Sequence, residues 1–274
     1  MGQIKRTVFF ISDGTGITAE MMGKSLLTQF EKVDFHRVLT PFVKDAARAH
    51  HAVDEINLAA ERDGEPPIVF STLVNSDLEN IIQGSKGMVL NFFSSFLKPL
   101  EDALGMASSH SVGKSHSGSS SDQYLNRIDA VNYALENDDG HSVKNYDEAE
   151  IILVGVSRSG KTPSSLYLAL QFGIKAANYP ITEEDMEERV LPKILQPYKH
   201  KLFGLTIDAE RLSAIRNARR ANSRYSSIKR CEDEVRNVEA MLKKASIPFI
   251  DTTDASVEEI ATQILLKTGL TRHN

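Results

Sequence analysis

Residues 151–172, IILVGVSRSGKTPSSLYLALQF, decide the fold class of this chain. An apolar run typical of a buried parallel strand precedes a glycine-bounded loop, and a segment with helical periodicity follows it. Gly155 and Gly160 allow sharp turns that direct backbone N–H groups at one anion, Lys161 reaches terminal phosphates, and Thr162 offers its hydroxyl to Mg²⁺. The stretch therefore predicts a phosphotransferase with a nucleotide-binding P-loop. The predicted cofactor-binding residues are Gly155, Val156, Ser157, Arg158, Ser159, Gly160, Lys161 and Thr162.

Composition and charge exclude several classes of protein. Of the 274 residues, 41% are hydrophobic and 25% are charged, as in ordinary water-soluble proteins. No apolar run approaches the ~20 residues that span a bilayer, and the N-terminal apolar stretch lacks a cleavage site, so we expect neither membrane insertion nor secretion. The single cysteine, Cys231, cannot form an intramolecular disulfide, which is typical of the reducing cytoplasm. A net charge of −5 argues against a general nucleic-acid-binding protein.

Short apolar runs alternate with helix-period segments on both sides of a central polar stretch. Before it, strands are predicted at 6–12, 35–43, 67–72 and 88–93, each followed by a helix. After it, the alternation resumes around the P-loop, with a long helical region predicted at 209–245 and a helix with a capping box at Ser256 and Glu259. Such alternation implies α/β folding, with parallel sheets covered by helices.

The central stretch, GMASSHSVGKSHSGSSSD (105–122), is dominated by Ser, Gly and His and has little apolar surface to bury. That composition is typical of a flexible linker. We therefore predict an N-terminal parallel-sheet α/β domain at 1–105, a linker at 106–122, and a P-loop kinase-like α/β domain at 123–274.

Asp208 ends the apolar run KLFGLTID, at the edge of a parallel sheet where ligands bind. Many P-loop proteins carry a Mg²⁺-associated acid in such a position, so Thr162 and Asp208 are the predicted metal residues. The alternative is that Asp208 caps the following helix, and both roles are compatible. The histidines His50, His51, His110 and His116 lack partners at metal-binding spacing, and we expect no metal there.

The segment 211–230 has seven basic residues and no acidic one. Arg216, Arg219 and Arg220 share a helical face, and phosphoryl transfer depends on cationic stabilisation of this kind. We expect Arg216 and Arg219 to face the P-loop, with no acidic partner nearby. A solvated surface, or a patch that docks an acidic protein, is the alternative.

A second strand–turn–helix unit, ISDGTGITAE (11–20), places Asp13 at a strand end. Asp13 is a candidate for binding a second anion or positioning a base. The alternative is a tight turn in which Thr15 or Thr18 caps the helix. The D-D-G triplet at 138–140 is typical of a turn only.

Several blocks together resemble the bacterial phosphoenolpyruvate synthase regulatory proteins, relatives of the regulators of pyruvate, phosphate dikinase. The resemblance covers nearly the whole chain and departs from the family clearly only in the linker. Its motifs are VFFISDGTGITAE (8–20), RIDAVNYALENDDG (127–140), ILVGVSRSGKTPSSLYLALQFGIKAANYP (152–180), KLFGLTIDAERLSAIRNARRANSRY (201–225) and SVEEIA (256–261).

The resemblance implies a serine/threonine kinase that uses ADP to phosphorylate a threonine of phosphoenolpyruvate synthase, which inactivates the synthase. It also implies the reversal by inorganic phosphate with release of pyrophosphate. Mg²⁺ is expected as a cofactor from the P-loop pattern itself. The predicted catalytic residues, which lie in the matching blocks, are Lys161, Asp208, Arg216, Arg219 and Asp13. A dikinase target, a small-molecule kinase and a non-catalytic nucleotide sensor stay open, as does the oligomeric state, a homodimer included.

Overall fold

The computed structural model describes residues 4–109, 121–140, 145–187, 190–220 and 223–273. The chain forms two compact units, residues 1–118 and 119–274. Most of the predicted linker, residues 110–120, lies outside the described residues. No helix in the described ranges is both long enough and apolar enough to cross a lipid bilayer.

The first unit contains a four-stranded parallel sheet of order β2-β1-β3-β4. Its strands are β1 (Ile4–Ile11), β2 (Val33–Thr40), β3 (Ile68–Ser71) and β4 (Met88–Asn91). Its helices are α1 (Ile17–Leu27), α2 (Ala46–Asp63), α3 (Ser76–Gln83) and α4 (Phe92–Leu104). Apolar clusters cover both faces of the sheet, because alternate residues of β1 and β3 point to opposite sides.

The second unit contains another four-stranded parallel sheet, of order β6-β5-β7-β8. Its strands are β5 (Ile151–Gly155), β6 (Ala176–Pro180), β7 (Leu202–Thr206) and β8 (Phe249–Asp251). Its helices are α5 (Ser121–Glu136), α6 (Lys161–Phe172), α7 (Glu183–Glu187), α8 (Ala209–Arg219), α9 (Ile228–Lys244) and α10 (Val257–Thr268). The predicted α/β architecture with parallel sheets is therefore confirmed.

Strand β5 lies in the interior of the second sheet, between β6 and β7. All five of its residues are buried, which explains why the sequence shows a continuous apolar run without polar alternation. The connection from β5 to α6 leaves the sheet at the carboxyl end of an interior strand. Because neighbouring strands are parallel, the ends of β6 and β7 lie at the same edge and can build a site around this connection.

The long helical region predicted at 209–245 is divided into two helices in the structure. Helix α8 ends at Arg219, helix α9 begins at Ile228, and a short 3-10 turn, Arg224–Ser226, lies between them. The capping box at the last helix is confirmed, since Ser256 accepts a hydrogen bond from Glu259 N and Glu259 accepts one from Ser256 N.

Candidate functional site

The residues 155–162, here called the glycine loop, join the buried strand β5 to helix α6. Two of them have left-handed backbone conformations, Arg158 with φ 77° and Gly160 with φ 91°. Gly160 is the N-cap residue of α6, and no side chain caps the helix. The first N–H groups of α6 therefore have no capping side chain and can donate to an anion, which the helix dipole also favours.

Gly155 is required by a close approach between two parts of the backbone. A Cβ atom at this position would overlap the carbonyl oxygen of Leu205 in β7 and would lie 2.9 Å from Ser159 Oγ. Thr252, which follows β8, supports the loop from the same side by donating its hydroxyl to the carbonyl oxygens of Ser159 (3.1 Å) and Thr206 (2.9 Å). The loop is thus held against β7 and the end of β8.

The side chain of Lys161 is buried inside this turn, with a relative exposure of 4%. Its ammonium group donates to the carbonyl oxygen of Val156 at 2.9 Å. Desolvation lowers the pKa of Lys161 to about 8, although the nearby carboxylates of Asp139 and Asp138 act in the opposite direction. A buried ammonium that is only partly compensated favours the arrival of a multiply charged anion, which would restore the stability of the charged form.

The Thr162 hydroxyl contacts a carboxylate in the turn that follows α5. This hydroxyl donates to Asp138 Oδ1 at 2.8 Å. The same carboxylate oxygen accepts a short hydrogen bond from the side-chain amide of Asn178, a fully buried residue of β6. Two oxygen atoms of the type that Mg²⁺ prefers, a hydroxyl and a carboxylate, therefore lie side by side at the beginning of α6.

Arg216 lies behind the glycine loop and is fully buried. Its guanidinium donates to the carbonyl oxygens of Ser157 (3.0 Å) and Tyr225 (3.1 Å) and forms an ion pair with Glu234 (2.7 Å). The expected contact between Arg216 and the loop is confirmed. The expected lack of an acidic partner was wrong, because helix α9 supplies Glu234 from beyond the basic segment.

The aromatic ring of Tyr225 completes this arrangement. It stacks on Arg216 with 4.1 Å between the guanidinium carbon and the ring centroid. Its hydroxyl lies 2.8 Å from Ser157 Oγ in the loop. Guanidinium and phenol together thus fix the main chain and the side chain of Ser157.

Three other predicted residues occupy different surroundings. Asp208 is the N-cap of α8, where its carboxylate accepts from Arg211 N at 2.9 Å, so the capping role is confirmed. Arg219 is exposed in the last turn of α8, and its catalytic role stays a prediction. Asp13 belongs to the first unit, where its Oδ2 atom is buried without a described hydrogen-bond partner.

The turn that contains Asp13 lacks the threonine cap that the simpler interpretation, a tight capped turn, includes. Helix α1 has Gly16 as its N-cap, with φ 81°, and no side chain caps it. Thr15 and Thr18 therefore do not provide the expected cap. The role of Asp13 in catalysis or anion binding stays a prediction.

A metal site made wholly of side chains is not visible in the described ranges, which contain no group of three or more His, Cys, Asp or Glu residues placed for an ion. Magnesium at phosphoryl-transfer sites typically uses one or two protein oxygens and completes its coordination with water and phosphate. Thr162 and Asp138 fit that pattern.

The model of the kinase/pyrophosphorylase family matches residues 8–265. The chain belongs to this family. The match includes the glycine loop, the Asp138 turn and the Arg216 helix. Membership of the kinase/pyrophosphorylase family confirms the resemblance that the sequence blocks indicated.

Curated relatives that are 55–56% identical to this chain align with nearly its whole length. A protein of Marinobacter nauticus is 56% identical over 270 residues, which are 98% of this chain and 100% of the relative. A protein of Hahella chejuensis is 55% identical over 270 residues, 98% of this chain and 99% of the relative. One of Pseudomonas fluorescens is 56% identical over 269 residues, with the same two coverages. All three are named as phosphoenolpyruvate synthase regulatory proteins.

Sequence reasoning missed several residues that surround the glycine loop of this family member. Asp138 was read only as part of a turn, and Asn178, Tyr225 and Glu234 were given no role. The available signals were a pair of acidic residues in the same domain as the loop and the position of Asp138, Asn178 and Tyr225 within the blocks that carry the resemblance. The other three contacts depend on which strands and helices become neighbours in space.

Proposed function

We propose that this chain is an ADP-dependent serine/threonine kinase and phosphate-dependent pyrophosphorylase that regulates phosphoenolpyruvate synthase. In the first reaction, a target threonine hydroxyl attacks the β-phosphorus of ADP, which gives phosphothreonine and AMP and inactivates the synthase. In the second, inorganic phosphate attacks phosphothreonine, which restores the hydroxyl and gives pyrophosphate. The family description covers a kinase and a pyrophosphorylase, and the names of the relatives support the synthase as target.

The observation that carries the proposal is the buried position of Lys161 within the glycine loop. Its ammonium is held at 2.9 Å from the Val156 carbonyl, at the base of a turn whose uncapped helix N-terminus attracts anions. A diphosphate brings the countercharge that this ammonium lacks. ADP and pyrophosphate share that diphosphate group, so one cradle can serve both reactions.

The residues of the site have separable roles in this chemistry. Backbone N–H groups of the glycine loop and Lys161 bind the diphosphate and stabilise charge on the transferring phosphoryl group. Arg216 and Tyr225 keep Ser157 in place, which preserves the shape of the cradle. The hydroxyl of Thr162, with the Asp138 carboxylate beside it, would hold Mg²⁺, which supplies further neutralisation of the phosphate oxygens when it is bound.

The test combines the purified chain with phosphoenolpyruvate synthase and either ADP or ATP, followed by mass spectrometry of the synthase. We expect phosphothreonine with ADP and none with ATP. We also expect pyrophosphate when the phosphorylated synthase is incubated with inorganic phosphate. The variant Lys161→Met should lose both reactions while its circular dichroism spectrum stays unchanged.

Other outcomes would contradict the proposal in different ways. Transfer from ATP alone would indicate an ordinary ATP-dependent kinase. Transfer to pyruvate, phosphate dikinase but not to the synthase would change the target. Binding of ADP without any transfer would indicate a nucleotide-sensing regulator. We place the activity in the cytoplasm, where the single Cys231 stays reduced.

A further inference from the structure

The turn Asp138–Gly140 brings a carboxylate to the beginning of α6 by an unusual backbone path. Asp139 has φ 51° and Gly140 has φ 69°, so two successive residues adopt left-handed conformations. For a residue with a side chain such a conformation is strained and is kept only where surrounding contacts impose it. Here the result of the turn is the hydrogen bond from Thr162 to Asp138 at 2.8 Å.

Asn178 fixes this turn from the neighbouring strand. Its side-chain oxygen accepts from Asp139 N at 3.0 Å, and its backbone N–H donates to the carbonyl oxygen of Asn137 at 3.1 Å. Its side-chain amino group therefore points at Asp138 Oδ1 and, at 3.4 Å, at Ser165 Oγ. Because its oxygen already accepts a main-chain N–H, the amide has only this orientation.

A fully buried amide in an interior-facing strand position is costly unless all its groups are bonded. An apolar residue would serve the core of β6 equally well. The physical consequence of Asn178 is that the position and orientation of the Asp138 carboxylate are fixed before any ligand arrives. Fixing a charged group in advance removes a reorganisation cost that would otherwise oppose binding.

The direction of the hydrogen bond at Thr162 decides what this carboxylate can do. A carboxylate only accepts, so Thr162 must donate its hydrogen to Asp138. The lone pairs of the Thr162 oxygen are then directed away from Asp138 and are available to a cation. The carboxylate also places a negative charge beside that cation. Asp208, by contrast, uses its carboxylate to cap α8.

We propose that Asp138, clamped by Asn178, is the positioning carboxylate of the Mg²⁺ site, in the role that the sequence suggested for Asp208. It orients the Thr162 hydroxyl toward the metal and compensates the charge of the ion. The inference rests on the proposed function, because it requires that the glycine loop binds a nucleoside diphosphate together with Mg²⁺.

The test measures ADP affinity by calorimetry, once with Mg²⁺ and once with EDTA, for the wild type and three variants. The ratio of the two affinities is the magnesium increment. Asp138→Asn should reduce this increment about 10-fold or more, the usual effect of removing a group that orients a metal ligand. Affinity in EDTA should be unchanged or higher, because a negative charge near the diphosphate is removed. Asp208→Asn and the surface control Asp233→Asn should keep the full increment.

The Asn variant is expected to fold, since an amide oxygen can accept the same hydrogen bonds from Thr162 and Asn178. Melting temperatures check this point. Asp138→Glu provides a second variant that keeps the charge but displaces it, and its magnesium increment should also fall. Electron paramagnetic resonance of Mn²⁺ in the ADP complex provides an independent readout, and we expect weaker Mn²⁺ binding in Asp138→Asn.

Three results would overturn the inference. A full magnesium increment in folded Asp138→Asn would remove Asp138 from the metal site. A loss in Asp208→Asn alone would return the role to Asp208. ADP binding by the wild type without any effect of Mg²⁺ would eliminate the metal site but leave nucleotide binding intact. Failure of the wild type to bind ADP at all would instead refute the proposed function.

Discussion

The ion pair between Arg216 and Glu234 predicts an asymmetric loss of stability when either partner is replaced. Arg216 has a fully buried side chain, and Glu234 is the only acidic side chain among the partners described for it, the others being carbonyl oxygens, the Tyr225 ring and Cys231. Glu234 also pairs with Arg230, whose Nε atom lies 2.7 Å from Oε1. Loss of Arg216 therefore leaves Glu234 with a second cation, whereas loss of Glu234 leaves a buried guanidinium without an anion.

Breaking a buried ion pair by removing one partner typically costs about 3–5 kcal/mol. We place Glu234→Leu at the upper end, about 4–5 kcal/mol, because the charge left behind is fully buried. Arg216→Met belongs at the lower end, about 3 kcal/mol, because Arg230 continues to compensate Glu234. The double variant removes the unpaired charge. It should therefore be more stable than Glu234→Leu alone, by about 2 kcal/mol.

Urea denaturation of the four proteins, followed by circular dichroism, measures these differences. The exposed Glu232→Leu on the same helix is the matched control, expected within about 0.5 kcal/mol of the wild type. The reasoning would be refuted if Glu234→Leu cost less than Arg216→Met, or if the effects of the two single variants simply added in the double variant.

Three further outcomes are expected. Burial lowers the pKa of Lys161 to about 8, and a bound diphosphate favours the charged form of this side chain, so ADP binding at pH 8.5 in EDTA should take up protons. Equal binding enthalpies in buffers of different ionisation enthalpy would contradict this proton uptake. Gly155→Ala should abolish ADP binding, because its Cβ atom would overlap the carbonyl oxygen of Leu205. Gly269 also has a left-handed backbone conformation, but open space surrounds it, so Gly269→Ala should destabilise the fold by about 1 kcal/mol and leave ADP binding unchanged. Ser256→Ala removes the cap of α10 and should lower the free energy of unfolding by about 1 kcal/mol in urea titrations; an unchanged value would mean the cap is not formed in solution.

The glycine loop could be predicted from sequence because its determinants are local. The apolar run of β5, the glycines and the helical periodicity of α6 are contiguous, and all three favour the same strand–loop–helix structure. The parallel sheets followed for a similar reason. Strand–helix alternation permits few other topologies, because a helix that connects two strands of one sheet returns the chain to the same end and favours a parallel arrangement.

The surroundings of the loop could not be predicted in the same way. Asp138 and Thr162 are separated by 24 positions, and Arg216 and Glu234 by 18. Nothing in either local pattern specifies its distant partner. The basic segment 211–230 appeared to lack a counter-charge only because its acidic partner lies beyond its end, on the next helix.

The break between α8 and α9 illustrates a weaker local signal. No Gly or Pro interrupts the segment 209–245, so the sequence predicted a long helical region without indicating the position of a break. In the structure, Ser226 Oγ accepts from Ser223 N at 3.2 Å and donates to Ser223 O at 3.0 Å. Serine side chains compete with the helical backbone in this manner, and the resulting turn positions Tyr225 against the glycine loop.

The central claim is that the glycine loop grips a diphosphate, and competition binding tests it most directly. Labelled ADP is bound to the wild type and to Lys161→Met, and unlabelled pyrophosphate is titrated into each. We expect one ADP site per chain in the wild type, full displacement by pyrophosphate, and a loss of affinity of at least 100-fold in the variant, about 2.7 kcal/mol. Equal ADP affinity in the two proteins, or simultaneous binding of ADP and pyrophosphate, would contradict the account.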